Sequence, residues 1–172
     1  DYESYGRMIQ MLKCHLFGPS SATSGFYLAL SDGVATLLSK HLQASKIDTA
    51  TRGLFQNAYD RLTSADDQRA WTSGLWMTER GGGSDLTPTE TTATYVPLAA
   101  DDCSKDSDGF PLGPWVLNGL KWFSTGTEAG MAIAVARTPK GLGAFLVPMR
   151  RTVLIDGVAG TELNGVRIRR LK

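Results

Sequence analysis

The chain has 172 residues, 42% of them hydrophobic and 20% charged, with a formal net charge of +1. That length suits one ordinary domain or two small ones, and the balanced charge gives no general electrostatic reason for a nucleic-acid or membrane-surface partner. Two distant cysteines, Cys14 and Cys103, and two histidines, His15 and His41, exclude a disulfide framework and a zinc-ligand set.

Up to about Trp71 the apolar spacing is helical. Tyr2, Tyr5, Met8, Ile9 and Leu12 recur every three to four residues, as on one face of an amphipathic helix. Phe26, Leu30, Val34, Leu37, Leu38 and His41 make a second face. Leu54, Phe55, Ala58, Tyr59 and Leu62 make a third, with Asp48 placed to cap it. The breaker cluster Gly18-Pro19-Ser20-Ser21 separates the first two. Residues 1–72 are therefore expected to be a small set of packed helices, and residues 73–172 a β domain.

After residue 72 the pattern shortens. Thr91–Val96, Met131–Ala136, Ala144–Val147 and Val166–Ile168 are short strand-like runs between turn signals. Asn118-Gly119 lies between Trp115-Val116-Leu117 and Leu120-Lys121-Trp122, which predicts a tight hairpin with positive φ at both central residues. Asn164-Gly165 and Thr138-Pro139-Lys140-Gly141 are further turns, and Cys103–Gly113 reads as a surface loop. The expected fold class is α+β, a helical segment followed by an antiparallel β-barrel or sandwich.

No run of about 18 or more apolar residues is present, so no membrane span is expected. The opening Asp1-Tyr2-Glu3-Ser4-Tyr5 has no features of a signal peptide. The chain stops at Arg169-Arg170-Leu171-Lys172, just after a strand-like run, and both ends read as cuts through something longer. Cysteine usage fits an intracellular setting, with cytoplasm, mitochondrion and peroxisome equally open.

Two stretches carry chemistry. In Thr78-Glu79-Arg80-Gly81-Gly82-Gly83-Ser84-Asp85, adjacent glycines allow close backbone approach to a ligand, exposed N–H groups can cradle phosphate oxygens, and Ser84 adds a hydroxyl. The stretch is neither a Walker loop nor a Rossmann fingerprint; alone, it serves equally well as a flexible surface loop. In Asn118-Gly119-Leu120-Lys121-Trp122-Phe123-Ser124, a strand would put Trp122 and Ser124 on one face, where a planar cofactor could stack and take a hydrogen bond. Alone, Trp122 is more commonly a packing residue.

Together, in this order and with a β region between, the two motifs resemble the middle domain of the acyl-CoA dehydrogenase family. The resemblance extends through Gly143-Ala144-Phe145-Leu146-Val147-Pro148 and Val166-Arg167-Ile168-Arg169-Arg170-Leu171-Lys172, and upstream through Leu30–Ala35 with Leu37-Leu38. Met77-Thr78-Glu79 before the glycines, with Lys121-Trp122-Phe123-Ser124, looks closest to the family's AidB-like branch. The chain then resembles part of an N-terminal helical domain and most of the middle β domain.

The resemblance implies a bound FAD. Leu75, Met77, Thr78, Gly83 and Ser84 would run along the flavin and pyrophosphate, with Thr78 at the pyrimidine edge and Ser84 at the phosphates. Trp122, Phe123 and Ser124 would line the ring, and Ser84 would also approach the CoA part of a substrate. Arg80 stands where the family usually has Pro, and Thr125-Gly126-Thr127 follows the second motif where Asn-Gly is common. The implied reaction is α,β-dehydrogenation of an acyl-CoA by a dimer or tetramer, hydride passing to flavin N5. Its base belongs to a C-terminal helical domain, so no catalytic residue is assigned here, and Glu79 is read as orienting the loop. Two alternatives are an alkylation-response, nucleic-acid-associated flavoprotein, supported locally only by Arg167, Arg169, Arg170 and Lys172, and a catalytically inactive remnant.

Overall fold

A computed structural model describes residues 3–44, 46–99 and 104–169. Tyr2, Cys103, Arg170, Leu171 and Lys172, which entered the expectations above, lie outside the described residues.

After a 3-10 turn at Glu3–Tyr5 come α1 (Gly6–Ser21), α2 (Ser24–Gln43) and α3 (Thr49–Leu62). The expected break at Gly18–Ser21 falls later. Pro19 stays in the last turn of α1, where the Ser21 hydroxyl donates to the Gly18 carbonyl at 3.1 Å, and the chain turns at Ala22 with φ 47°. Asp48 caps α3 as expected, accepting from the Thr51 N–H at 2.9 Å.

Helix α2 buries Ser31, Val34, Ala35 and Leu38. Val34 and Leu38 form one core with Ala58 of α3 and with Met131 and Ile133 of the sheet, edged by Phe55, Tyr59, Leu62, Trp71, Leu75 and Leu146. Helix α1 stands apart from that core. Met8, Met11, Leu12, Leu16 and Phe17 are exposed, and a two-pronged Arg7–Asp32 ion pair ties it to α2.

Among the described residues seven strands follow: β1 (Ser73–Trp76), β2 (Thr92–Tyr95), β3 (Trp115–Asn118), β4 (Met131–Thr138), β5 (Gly141–Pro148), β6 (Arg150–Ile155) and β7 (Val158–Leu163). Strand β4 is the axis, with six consecutive residues buried. It pairs antiparallel with β5 from Met131↔Pro148 to Thr138↔Gly141. Its other edge pairs parallel with β1, from Ser73↔Met131 to Trp76↔Ala134, and then meets β2 at Thr92↔Arg137. Strand β3 lies antiparallel to β2, and β6 and β7 form a separate hairpin.

This corrects the expectation of an antiparallel barrel or sandwich. The fold is α+β, but the five-stranded sheet is mixed and, among the described residues, does not close. The long excursion from Met77 to Gly130 supplies the crossover that parallel β1 and β4 require. Burial of β4 on both faces explains its unbroken apolar run.

The Asn118-Gly119 hairpin is also overturned. Neither residue has positive φ, and Leu120-Lys121-Trp122 forms no strand. A Cβ on Gly119 would come within 2.6 Å of Thr91 Cα and 2.7 Å of Thr91 Cβ, and would collide with Thr91 Oγ1. The glycine is there for close packing, not for a turn. Thr138–Gly141 does join β4 to β5, with Gly141 at φ +119°. Gly165 turns the chain at φ +68° after β7, but Val166–Ile168 forms no strand.

Candidate functional site

Strand β1 ends at Trp76 and delivers the glycine loop. The Glu79 N–H donates to the Gly82 carbonyl at 2.9 Å and the Gly82 N–H returns to the Glu79 carbonyl at 3.2 Å, leaving Arg80 and Gly81 at a tip. Of the three glycines only Gly82 is crowded, since a Cβ there would sit 2.6 Å from the Asp85 carbonyl oxygen and 3.1 Å from Pro88 Cγ. Gly83 and Ser84 are exposed. Among the described residues no backbone acceptor takes the N–H of Gly81, Gly83 or Ser84. The loop therefore presents a short row of donors to solvent.

Behind the tip the chain is fastened. The Asp85 carboxylate accepts from the Thr87 N–H at 2.9 Å and from its hydroxyl at 2.8 Å, and these bonds hold its pKa below the ordinary carboxyl value. Arg137 of β4 donates through Nε to the Thr89 carbonyl at 3.1 Å and through Nη2 to the Thr87 carbonyl.

Glu79 itself faces inward, with 6% of its surface exposed. Its carboxylate accepts from the Glu90 N–H at 2.6 Å, the Thr91 N–H at 3.2 Å, the Thr91 hydroxyl at 2.5 Å and the Lys121 ammonium at 2.6 Å. Burial pushes its pKa up, but the bonds from Lys121, Thr91 and Glu90 together outweigh burial and bring it down to about 2. Glu79 is a fixed anion.

Lys121, largely enclosed though less so than Glu79, also reaches the Met77 carbonyl at 3.4 Å. The next residue closes the junction, since the Trp122 N–H donates to the Thr78 carbonyl at 2.9 Å. The two motifs, remote in sequence, are thus side by side. Trp122 is half-buried, and the Arg80 guanidinium lies 5.0 Å from its ring centroid. The ring of Phe123, 64% exposed, meets Trp122 edge-on with centroids 5.6 Å apart.

The expected strand face shared by Trp122 and Ser124 does not exist. Phe123 takes φ +56°, which turns the chain and breaks the alternation. The segment instead folds onto β1, where the Trp76 indole N–H donates to the Thr125 carbonyl at 2.9 Å. Of the other expected contacts, Leu75 has its side chain against the helical core, Met77 and Thr78 are half-buried at the junction, and Ser124 is half-buried beyond it. Lys121, Thr91 and Arg137 had no assigned role in the sequence reading. Among the described residues no three His, Cys, Asp or Glu side chains gather as a metal site would need, and no helix is long and apolar enough to cross a membrane.

The family model for the acyl-CoA dehydrogenase middle domain matches residues 74–172. Acyl-CoA dehydrogenase family member 11 of Caenorhabditis elegans is 33% identical over 96% of this chain, which covers 24% of that protein. The Escherichia coli putative acyl-CoA dehydrogenase AidB is 31% identical over 71% of this chain, covering 19% of that protein. The chain thus spans about a quarter or less of the length of these curated relatives. Among solved structures, C. elegans ACDH-11 in complex with C11-CoA superposes with TM-score 0.61 at 33% identity, over 80% of this chain and 22% of that one. The apo form of Bd2924 superposes with TM-score 0.76 at 32% identity, over all of this chain and 31% of that one.

Proposed function

Because the chain belongs to the acyl-CoA dehydrogenase family, we propose that it forms the FAD-binding part of an oxidoreductase that dehydrogenates an acyl-CoA at its α and β carbons. In this reading residues 1–72 are part of an N-terminal helical domain and residues 73–172 most of the middle β domain. The observation that carries it is the junction itself. A donor-rich glycine loop and an aromatic strap, about forty residues apart in sequence, are joined at the Trp122 N–H to Thr78 carbonyl bond.

The residues present fit the cofactor. The uncommitted N–H groups of Gly81, Gly83 and Ser84, with the Ser84 hydroxyl, suit the pyrophosphate. Thr78 and Met77 lie at the junction, where the pyrimidine edge would come, and Trp122, Phe123 and Ser124 offer the ring a wall of planar and polar groups. When bound, FAD supplies the hydride acceptor at N5. Stacking on the Arg80 face of Trp122 requires that guanidinium to move aside. The C11-CoA bound by ACDH-11 supports an acyl-CoA as substrate, with Ser84 near its CoA portion. The whole protein would work as a dimer or tetramer.

The test is to purify the full-length protein and assay its flavin. It should carry FAD, and Thr78→Ala with Ser84→Ala should weaken retention, each lost hydrogen bond costing about 1–3 kcal/mol. A colourless protein that takes up no flavin on titration refutes the reading.

A further inference from the structure

A dinucleotide cofactor is held both at its ring and at its phosphates, and both contacts count only if their separation is fixed before binding. In the reading above, on which this inference rests, the glycine loop meets the pyrophosphate and the Trp122 strap meets the flavin ring. We infer that the buried Glu79–Lys121 pair is the positioning device that sets the distance between them. Glu79 is a node. Its backbone forms the loop's turn, its carboxylate holds the Glu90 and Thr91 N–H groups at the entrance to β2, and its fourth bond grips Lys121, the residue before Trp122.

Three segments thereby share one carboxylate. Thr91 is itself anchored to the central strand, its carbonyl accepting from the Arg137 N–H at 2.7 Å. Gly119 packs against Thr91 and so brings Lys121 within reach of Glu79. With 10% and 5% of their side-chain surface exposed, neither charge can turn to water if its partner is lost. Removal of one leaves the other to seek a new arrangement, and the loop and the strap would separate. Neither Glu79 nor Lys121 need touch the cofactor for this.

The experiment uses the full-length apoprotein, Lys121→Met and Lys121→Arg. It reads amide hydrogen exchange at Glu90 and Thr91, FAD affinity by fluorescence titration, and the induced circular dichroism of bound flavin. Lys121→Met should deprotect both amides without any ligand, weaken FAD by about tenfold or more, and flatten the induced signal. Lys121→Arg should restore much of all three. Wild-type FAD affinity and flavin dichroism in Lys121→Met overturn the inference, whatever happens to the melting temperature. If Lys121→Met does not fold, Thr91→Val removes one bond from the same carboxylate; it should weaken FAD by less than tenfold, and unchanged affinity again overturns the inference. Failure of the flavin reading looks different: the wild-type protein binds no FAD, while deprotection of Glu90 and Thr91 in Lys121→Met still reports on the node.

Discussion

Replacement of Gly119 by Ala tests the packing beneath the candidate site. The added methyl would sit 2.6 Å from Thr91 Cα and 2.7 Å from Thr91 Cβ, distances that real Cβ atoms do not adopt. Thr91 cannot retreat freely, being 4% exposed, bonded to Glu79 on one side and to the Arg137 N–H on the other. Since Gly119 is not in a left-handed conformation, Ala should gain about 0.4–1 kcal/mol from the unfolded state. Overpacking costs about 1–3 kcal/mol, and displacement of the Thr91 hydroxyl from Glu79 adds about 1–3 kcal/mol. The steric and hydrogen-bond losses win, with a net destabilisation of about 1–5 kcal/mol. Chemical denaturation of the full-length protein measures this against Gly113→Ala, whose new methyl meets nothing within 4 Å. Equal midpoints for the two variants refute the reasoning.

Glu79→Gln should alter the acid limb of stability. The folded pKa of about 2 lies below the ordinary 4.5, so the carboxylate's contribution is whole above about pH 4.5 and lost as pH falls through 2. It is worth roughly 3 kcal/mol, and wild-type and Glu79→Gln stability curves that run parallel from pH 5 to 2 refute it. Trp122→Phe in the full-length protein should shift flavin absorbance and loosen the cofactor by about 0.5–1.5 kcal/mol; an unchanged spectrum and affinity return Trp122 to core packing. Arg137→Met should speed exchange of the Thr89 amide, which is bonded to the Leu86 carbonyl within the propped segment; unchanged protection removes Arg137 as a prop. The 172 residues alone, given FAD, an acyl-CoA and an artificial acceptor, should show no turnover, because loss of a positioned base typically removes a factor of about 10²–10⁴; turnover near that of the full-length protein refutes this.

The helices were legible because their signal is local. Repeats of three to four residues located α2 and α3, and Asp48 marked the cap that the structure shows. Strands were legible as runs but not as partners. The run Met131–Ala136 carries no mark that one edge meets β5 antiparallel and the other β1 parallel, since that depends on where Ser73–Trp76 returns in space. The hairpin of β6 and β7 did carry a local mark that the sequence reading passed over. Asp156-Gly157 takes φ +52° and +81°, the turn wrongly expected at Asn118-Gly119. The same dipeptide logic failed at Gly119 because a buried threonine, not a turn, dictates that glycine. In the site, the two motifs were visible and their adjacency was not. Lys121 stands beside Trp122 in sequence, but nothing in the spacing couples it to Glu79, forty-two positions earlier.

That coupling also decides what the loop's acidity is for. A carboxylate has about four acceptor positions, and those of Glu79 face Glu90, Thr91 through two groups, and Lys121. With its pKa at about 2, it is a poor match for a general base, which works best when poised near the operating pH. Asp85 is turned toward Thr87 and lowered in the same direction. Two fixed negative charges beside a proposed pyrophosphate site would repel it if left open. Lys121 cancels the charge of Glu79, while Arg80, whose guanidinium lies over the Trp122 ring, balances Asp85 only in formal charge. The donors of Gly81, Gly83 and Ser84 would then face the proposed pyrophosphate across a loop whose formal charges, with Lys121, sum to zero. Its carboxylates shape the loop, and in the proposed dehydrogenation the proton acceptor would be a group outside these motifs.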